Sequence, residues 1–161
     1  MKLRKVFLAS IVASSMMGNS ASAGVVGITG GHWSKHLSSD VTNEEHSWVN
    51  LRWNQFVVGR FDNSYKQEGF SGETFYAGVI RDFKIWKENQ SRVVLKGSIG
   101  IMHGYTKFAG HERGADPKTF PYLAGGLFYQ RAIGNDGFEL EAGLMMLGDA
   151  VIPSAGALYR F

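Results

Sequence analysis

The chain has 161 residues, no cysteine, 21 glycines and only 3 prolines, and its 17 basic and 14 acidic residues give a formal net charge of +3. The lack of cysteine excludes disulfides, zinc-thiolate sites and thiol nucleophiles. Three basic residues stand within the first five positions, before an apolar stretch and a small-residue run at 21–23. This pattern predicts a cleaved signal peptide over residues 1–23. Removing it leaves 14 basic against 14 acidic residues, which argues against a basic surface for nucleic acid.

Residues 24–161 predict a single all-β domain, because polar and apolar residues alternate over eight segments. The segments are 25–34, 46–53, 56–61, 74–83, 92–105, 122–131, 138–147 and 154–161. The breaks between them are compact at 54–55, 84–91 and 134–137 and longer at 35–45, 62–73 and 106–121. Short turns at one end and long loops at the other are typical of bacterial outer-membrane barrels. We therefore predict an eight-stranded antiparallel transmembrane β-barrel of outer-membrane type.

The end of the chain supports this prediction. Residues 157, 159 and 161 lie on one face of the last segment, and the chain ends on Phe161. A terminal Phe preceded by apolar or aromatic residues at alternate positions resembles the signal by which outer-membrane barrels are recognised for insertion. We expect a monomer in the outer membrane of a Gram-negative cell, inserted by the barrel assembly machinery. A soluble lipocalin-like barrel or a sandwich would show the same alternation and is the alternative.

The polar face of the segments predicts a closed floor inside the barrel. Near the short turns it carries charges of both signs, at Arg52, Arg92, Lys96, Glu139 and Glu141. Buried charges of both signs are tolerated only when they pair, so this end is predicted to be a salt-bridged plug and not a channel.

Towards the long loops the same face carries small and flexible apolar residues. They are Gly100, Met102, Gly143 and Met145. Such residues leave room for a slim hydrophobic guest, which predicts a pocket for an acyl chain. The alternative is that they only fill the taper of the barrel.

Candidate catalytic residues gather at the long-loop end. His32 and His36 are expected to share one face as the first strand leaves the membrane. Ser64 follows Asp62 and Asn63 at the top of the third strand. Acyl transfer or ester hydrolysis needs a hydroxyl, a base of near-neutral pKa and donors for the oxyanion. Alternatively, the histidines are ordinary loop residues, or His32, Ser34 and His36 form a stray metal site. Their spacing secures no third or fourth zinc ligand, so neither a metal nor a cofactor is expected.

The run RFDNSY at 60–65, followed by FYAG at 75–78, resembles the second-loop region of the lipid A palmitoyltransferase (PagP) family. The resemblance implies that Asn63 takes the family's acidic position and Ser64 its serine position. It also implies that a histidine near ITGGH at 28–32, His32 or His36, is the base. Pro117 and Pro121 resemble the prolines that loosen strand pairing in that family and admit lipid. The family's amphipathic N-terminal helix is missing, and Asn63 replaces its Asp.

Three functions remain open at this stage. The first is an outer-membrane acyltransferase that moves an acyl chain from phospholipid to lipid A or a related envelope lipid, with phospholipid and lipopolysaccharide as partners. The second is a non-catalytic surface barrel that acts in adhesion, envelope modification or receptor blocking. The third is a lipid A or phospholipid hydrolase. Barrel deacylases of lipid A carry a His-x-Ser pair near the C-terminal end, and the sequence has none after residue 106.

Overall fold

The computed structural model describes residues 24–37, 45–62, 73–105 and 118–161. The predicted signal peptide, Asn63, Ser64 and Pro117 lie outside the described residues. The described residues form nine strand segments: β1 (Val25–Trp33), β2 (Lys35–His36), β3 (Glu45–Trp53), β4 (Phe56–Asp62), β5 (Glu73–Glu88), β6 (Ser91–Tyr105), β7 (Lys118–Ala132), β8 (Phe138–Leu147) and β9 (Ala150–Arg160). In this part of the chain no helix is long and apolar enough to cross a membrane.

The segments form one antiparallel sheet that closes on itself. Each neighbouring pair from β3 to β9 is antiparallel, β1 pairs with β3, and closure comes from the pairing of β1 with β9. The segments β1 and β2 are two parts of one strand, since both pair with β9, on either side of Ser34. The result is a closed eight-stranded antiparallel barrel, which confirms the predicted fold class.

Several strands are longer than predicted. The break predicted at 84–91 is mostly strand, because β5 runs to Glu88 and a two-residue turn, Asn89–Gln90, leads into β6. Asn89 has a φ of 50°, a left-handed conformation that asparagine tolerates, so this turn needs no glycine. At the opposite end of the barrel another two-residue turn, Gly148–Asp149, joins β8 to β9.

Pro121 lies inside a strand, whereas the sequence placed it in the loop before one. It belongs to β7 and pairs in register with Ile101 of β6. On its other side β7 begins to pair with β8 only at Ala124. A strand tolerates proline, which has no backbone N–H, where only one neighbouring strand pairs with it. Pro121 therefore does not disturb the hydrogen bonds between strands.

The outer surface of the barrel carries an apolar belt. Exposed, outward-facing side chains include Ile28, Leu51, Val58, Phe75, Ile101, Leu123, Leu127, Leu140 and Leu144. Exposed aromatic residues gather towards the short-turn end, namely Trp53, Phe56, Trp86, Tyr129, Phe138, Tyr159 and Phe161. An apolar band edged by aromatic side chains is typical of barrels whose outside contacts lipid.

Glycines inside the barrel make room for aromatic rings. A Cβ added to Gly100 would stand 2.8 Å from the Tyr122 ring, and one added to Gly143 would stand 2.8 Å from the Phe128 ring. The backbone of the adjacent strand is closer still, with Ala77 O at 2.1 Å and Leu127 O at 2.2 Å, so ring and backbone together occupy the volume that the missing side chains leave. Phe128 is fully buried in the resulting core.

Candidate functional site

A β-bulge near the long-loop end decides where the candidate histidines point. The register of β1 with β3 shifts between Gly31 and Trp33, and the next segment continues with Ser34 and His36 facing inward. His32 lies before the end of this shift and is exposed on the outer face. The extra residue of a bulge changes the face on which the following side chains fall. The predicted shared face of His32 and His36 is therefore wrong.

On the outer face His32 forms a small polar cluster with two neighbouring strands. Its Nδ1 lies 2.9 Å from Ser47 Oγ, and the Ser47 backbone N–H donates to Asp62 Oδ2 at 3.2 Å. Two residues before Asp62 on the same strand, Arg60 forms an exposed ion pair with Glu73, with 2.6 Å between Nη1 and Oε1. The structure thus brings together two predicted site residues, His32 and Asp62, through Ser47. Sequence reasoning missed Ser47, although its register opposite Asp62 follows from the two-residue turn at 54–55.

On the inner face His36 has a different partner. Its Nδ1 lies 3.2 Å from Asp149 Oδ1, in the tight turn between β8 and β9. The backbone of the same turn accepts a hydrogen bond from Leu37 N–H at 3.0 Å. Asp149 was not predicted, because no turn was assigned between the last two strands. Ser64 and Asn63 are not among the described residues, so their proximity to either histidine stays a prediction.

None of these clusters has the composition of a metal centre. Among residues 24–37, 45–62, 73–105 and 118–161, no three His, Asp or Glu side chains are placed to hold one ion together.

Where an acyl pocket was predicted, the described residues of the upper interior line a small cavity. The cavity has a volume of about 40 Å³, and Met102 and Met145 are among its lining residues. Pockets for small organic ligands typically measure about 300–1,000 Å³. Gly100 and Gly143 do not line this cavity, since the rings of Tyr122 and Phe128 cover them. An acyl pocket would thus require side chains to move.

Polar groups around the cavity mostly satisfy one another. The hydroxyls of Ser98 and Tyr122 lie 2.9 Å apart, and the Tyr76 hydroxyl bonds to the Asn50 side chain. The indole N–H of Trp48, which is buried, has no hydrogen-bond partner among the described residues. The buried hydroxyls of Ser34 and Thr74 likewise have no partner among the described residues. The upper interior is therefore an apolar core with few unsatisfied polar groups, not an open aqueous chamber.

Below this core lies a deeply buried ion pair. Lys96 Nζ lies 2.5 Å from Glu141 Oε2 and 4.5 Å from the centre of the Phe128 ring. Glu141 also accepts hydrogen bonds from Thr29 Oγ1 at 2.6 Å and from Gln130 Nε2 at 2.8 Å. The carboxylate thus has three donors from three strands, which is the arrangement that a buried charge requires.

A second ionic layer follows towards the short turns. Arg52 pairs with Asp82 at 2.7 Å, and Arg160 reaches Asp82 at 3.3 Å and Glu139 at 2.9 Å. Arg92 also pairs with Glu139. The predicted salt-bridged plug is confirmed. Asp82 and Arg160 were not anticipated as members, although both stand at inward positions of their strands.

No family model matches the sequence, and no curated protein matches it. Among solved structures, the chain is similar to the neisserial surface protein A (NspA), with 16% identity and a TM-score of 0.53 over 89% of this chain and 100% of that chain. It is also similar to the N-terminal β-barrel domain of Pseudomonas aeruginosa OprF, with 8% identity and a TM-score of 0.50 over 87% of this chain and 99% of that chain. The fold is that of the eight-stranded outer-membrane barrels. A third structure, Ail of Yersinia pestis, matches with 20% identity and a TM-score of 0.39 over 86% of this chain and 99% of that chain.

Proposed function

We propose that the protein is a non-catalytic surface barrel of the Gram-negative outer membrane whose loops act in adhesion, envelope modification or receptor blocking. The observation that carries this proposal is the filled interior. An ionic plug occupies the floor, and an apolar core with a cavity of about 40 Å³ occupies the space above it. A barrel of this kind offers neither a water-filled channel nor a ready acyl pocket. We therefore assign the function to the long loops, at the end of the barrel opposite the ionic plug.

The outer surface supports the membrane location. The apolar belt and the aromatic residues at its short-turn edge match a lipid-facing exterior. The polar outward row of His32, Ser47, Asp62 and Arg60 marks the upper edge of that belt. Phospholipid and lipopolysaccharide are then the lipids that surround a monomer, and the barrel assembly machinery inserts it.

The lipid A palmitoyltransferase resemblance leads to a competing proposal. An acyltransferase of that type would use Ser64 with His32 or His36 and would hold an acyl chain between Met102 and Met145. Because of the bulge, His32 lies on the outer face of the barrel and His36 on the inner face. Only His36 could therefore act on an acyl chain held inside the barrel. The small cavity and the filled glycine positions weigh against this function.

One experiment separates the two proposals. Wild-type protein, a Ser64→Ala variant and an empty vector are compared in cells of one Gram-negative strain. Lipid A is analysed by mass spectrometry, and the same cells are assayed for adherence to host cells and for phage adsorption. The surface-barrel proposal expects lipid A identical to the empty vector and a change in adherence or adsorption with both proteins. Extra acylation that disappears with Ser64→Ala would establish the acyltransferase instead.

A further inference from the structure

The short-turn end of the barrel contains a polar cleft that the surface-barrel function does not use. The cleft has a volume of about 250 Å³ and lies between the β5–β6 turn and the β7–β8 turn. Its lining includes Lys87, Asn89, Ser91, Arg92, Asn135 and Glu139. It therefore opens outward between two turns and ends on the ionic layer of the floor.

The ionic layer beneath the cleft has more cations than anions. Three guanidinium groups, those of Arg52, Arg92 and Arg160, meet two carboxylates, those of Asp82 and Glu139. The next layer does not supply the missing negative charge, because Lys96 and Glu141 neutralise each other. The floor thus keeps one uncompensated positive charge among the described residues.

Of the three arginines, Arg92 lines the bottom of the cleft, beside Glu139. Arg92 and Arg160 both donate to the same oxygen, Glu139 Oε2. Their side chains keep 22% and 23% of their surface accessible, against 9% for Arg52. Arg92 also donates to Gln130 Oε1, and Arg160 donates to Asp82 Oδ2 and Gln130 Oε1. A partly dry site with more guanidinium groups than carboxylates favours an additional anion. Lys87, which is exposed, adds a second cation to the lining of the cleft.

We propose that this cleft binds a small oxyanion, a phosphate or carboxylate group, between Lys87 and Arg92. Asn89, Ser91 and Asn135 add polar side chains to the wall around it. A guanidinium offers several fixed N–H donors to such a group, and the ammonium of Lys87 adds charge. The residues named for this site are neither histidines nor part of the long loops. The proposal is therefore independent of the surface-barrel proposal.

Inorganic phosphate tests the site on the full-length barrel folded in zwitterionic detergent. Binding is measured by isothermal titration and by the thermal unfolding midpoint, with chloride at matched ionic strength as the reference anion. We expect phosphate to bind and to raise the midpoint, while chloride does so much less. Lys87→Gln is expected to weaken phosphate binding about fivefold, as suits one partly exposed charge. Lys84→Gln removes the same charge from the same strand outside the cleft and should leave the affinity unchanged.

A second arm identifies the source of the oxyanion. Barrels in nanodiscs with and without anionic phosphatidylglycerol are titrated with phosphate and with acetate. Weaker phosphate binding in the anionic discs would identify a lipid headgroup as the occupant, whereas equal binding would identify a dissolved anion. Equal affinities of Lys87→Gln and Lys84→Gln, or equal effects of chloride and phosphate, would overturn the proposal. Lys87 is exposed and takes part in none of the ion pairs of the plug, so we expect Lys87→Gln to fold like the wild type.

Discussion

His32 and His36 lie four residues apart in the sequence and face opposite sides of the barrel wall. The register shift between Gly31 and Trp33 separates them. His32 hydrogen-bonds with Ser47 on the outer face, whereas His36 pairs with Asp149 on the inner face. One wall thus carries two histidine environments, and they differ in solvent access.

This separation can be tested by single-cysteine labelling, because the chain has no cysteine of its own. His32→Cys should react readily with a water-soluble maleimide on the folded barrel in detergent. His36→Cys should react about tenfold more slowly, since thiol reactivity follows exposure and the native side chain is only 5% accessible. Both variants should react equally after denaturation, which controls for intrinsic reactivity. Equal labelling rates of the two variants on the folded barrel would contradict the placement of His32 and His36 on opposite faces.

The buried ion pair should dominate the stability of the barrel. Glu141→Gln leaves Lys96 without its counter-charge in a closed interior, and we expect a loss of about 3–5 kcal/mol in the free energy of unfolding. Urea unfolding followed by the gel shift between folded and heated barrel measures the loss. The double change Lys96→Met with Glu141→Leu should cost less, since it removes both charges together. A single variant as stable as the wild type would show that water reaches the pair.

The glycines under aromatic rings distinguish a filled interior from an open pocket. In Gly100→Ala the added methyl group would lie 2.1 Å from the Ala77 carbonyl oxygen and 2.8 Å from the Tyr122 ring, and we expect about 1–3 kcal/mol of destabilisation in the same assay. Gly125→Ala is the matched control, because an added Cβ there meets only one backbone oxygen, at 3.6 Å. The control should unfold like the wild type. Full tolerance of Gly100→Ala would restore the predicted acyl pocket at that position.

The apolar belt should tolerate charge poorly if it lies in lipid. Leu51→Arg, at an outward position in the belt, is expected to lose about 2–4 kcal/mol when the barrel unfolds from a bilayer. Gln55→Arg makes the same charge change in an exposed turn and should have no measurable effect. Equal stability of the two variants in lipid vesicles would favour the soluble lipocalin-like alternative.

The last residue should matter for assembly more than for stability. The Phe161 ring lies 6.2 Å from the Tyr159 ring, and its backbone N–H donates to Gly24 at the seam of the barrel. We expect Phe161→Ala to lower the folded fraction in cell envelopes while refolding in detergent changes little. Phe138→Ala removes another outward aromatic ring and serves as the control. If both variants assemble in cells like the wild type, Phe161 is not an insertion signal.

Alternation along the chain was sufficient to predict the barrel and its two faces. In β6 the even positions, such as Lys96 and Met102, are buried, while Leu95 and Ile101 are exposed to the outside. The period of two is a local property of an extended backbone, so each segment carries it independently of its partners. The same reasoning predicted that charges such as Arg92 and Glu139 would pair in the floor.

Only the tertiary structure decided which residues meet, because register and bulges depend on the neighbouring strand. The single extra residue near Gly31 moved His36 inward and left His32 outside, which no count along one strand reveals. Likewise, the sequence predicts empty space beside Gly100, but the Tyr122 ring of the adjacent strand lies there. The sequence by itself determined an alternating eight-stranded barrel with a charged floor. Pairing between distant strands determined how full that barrel is and on which side of its wall each histidine lies.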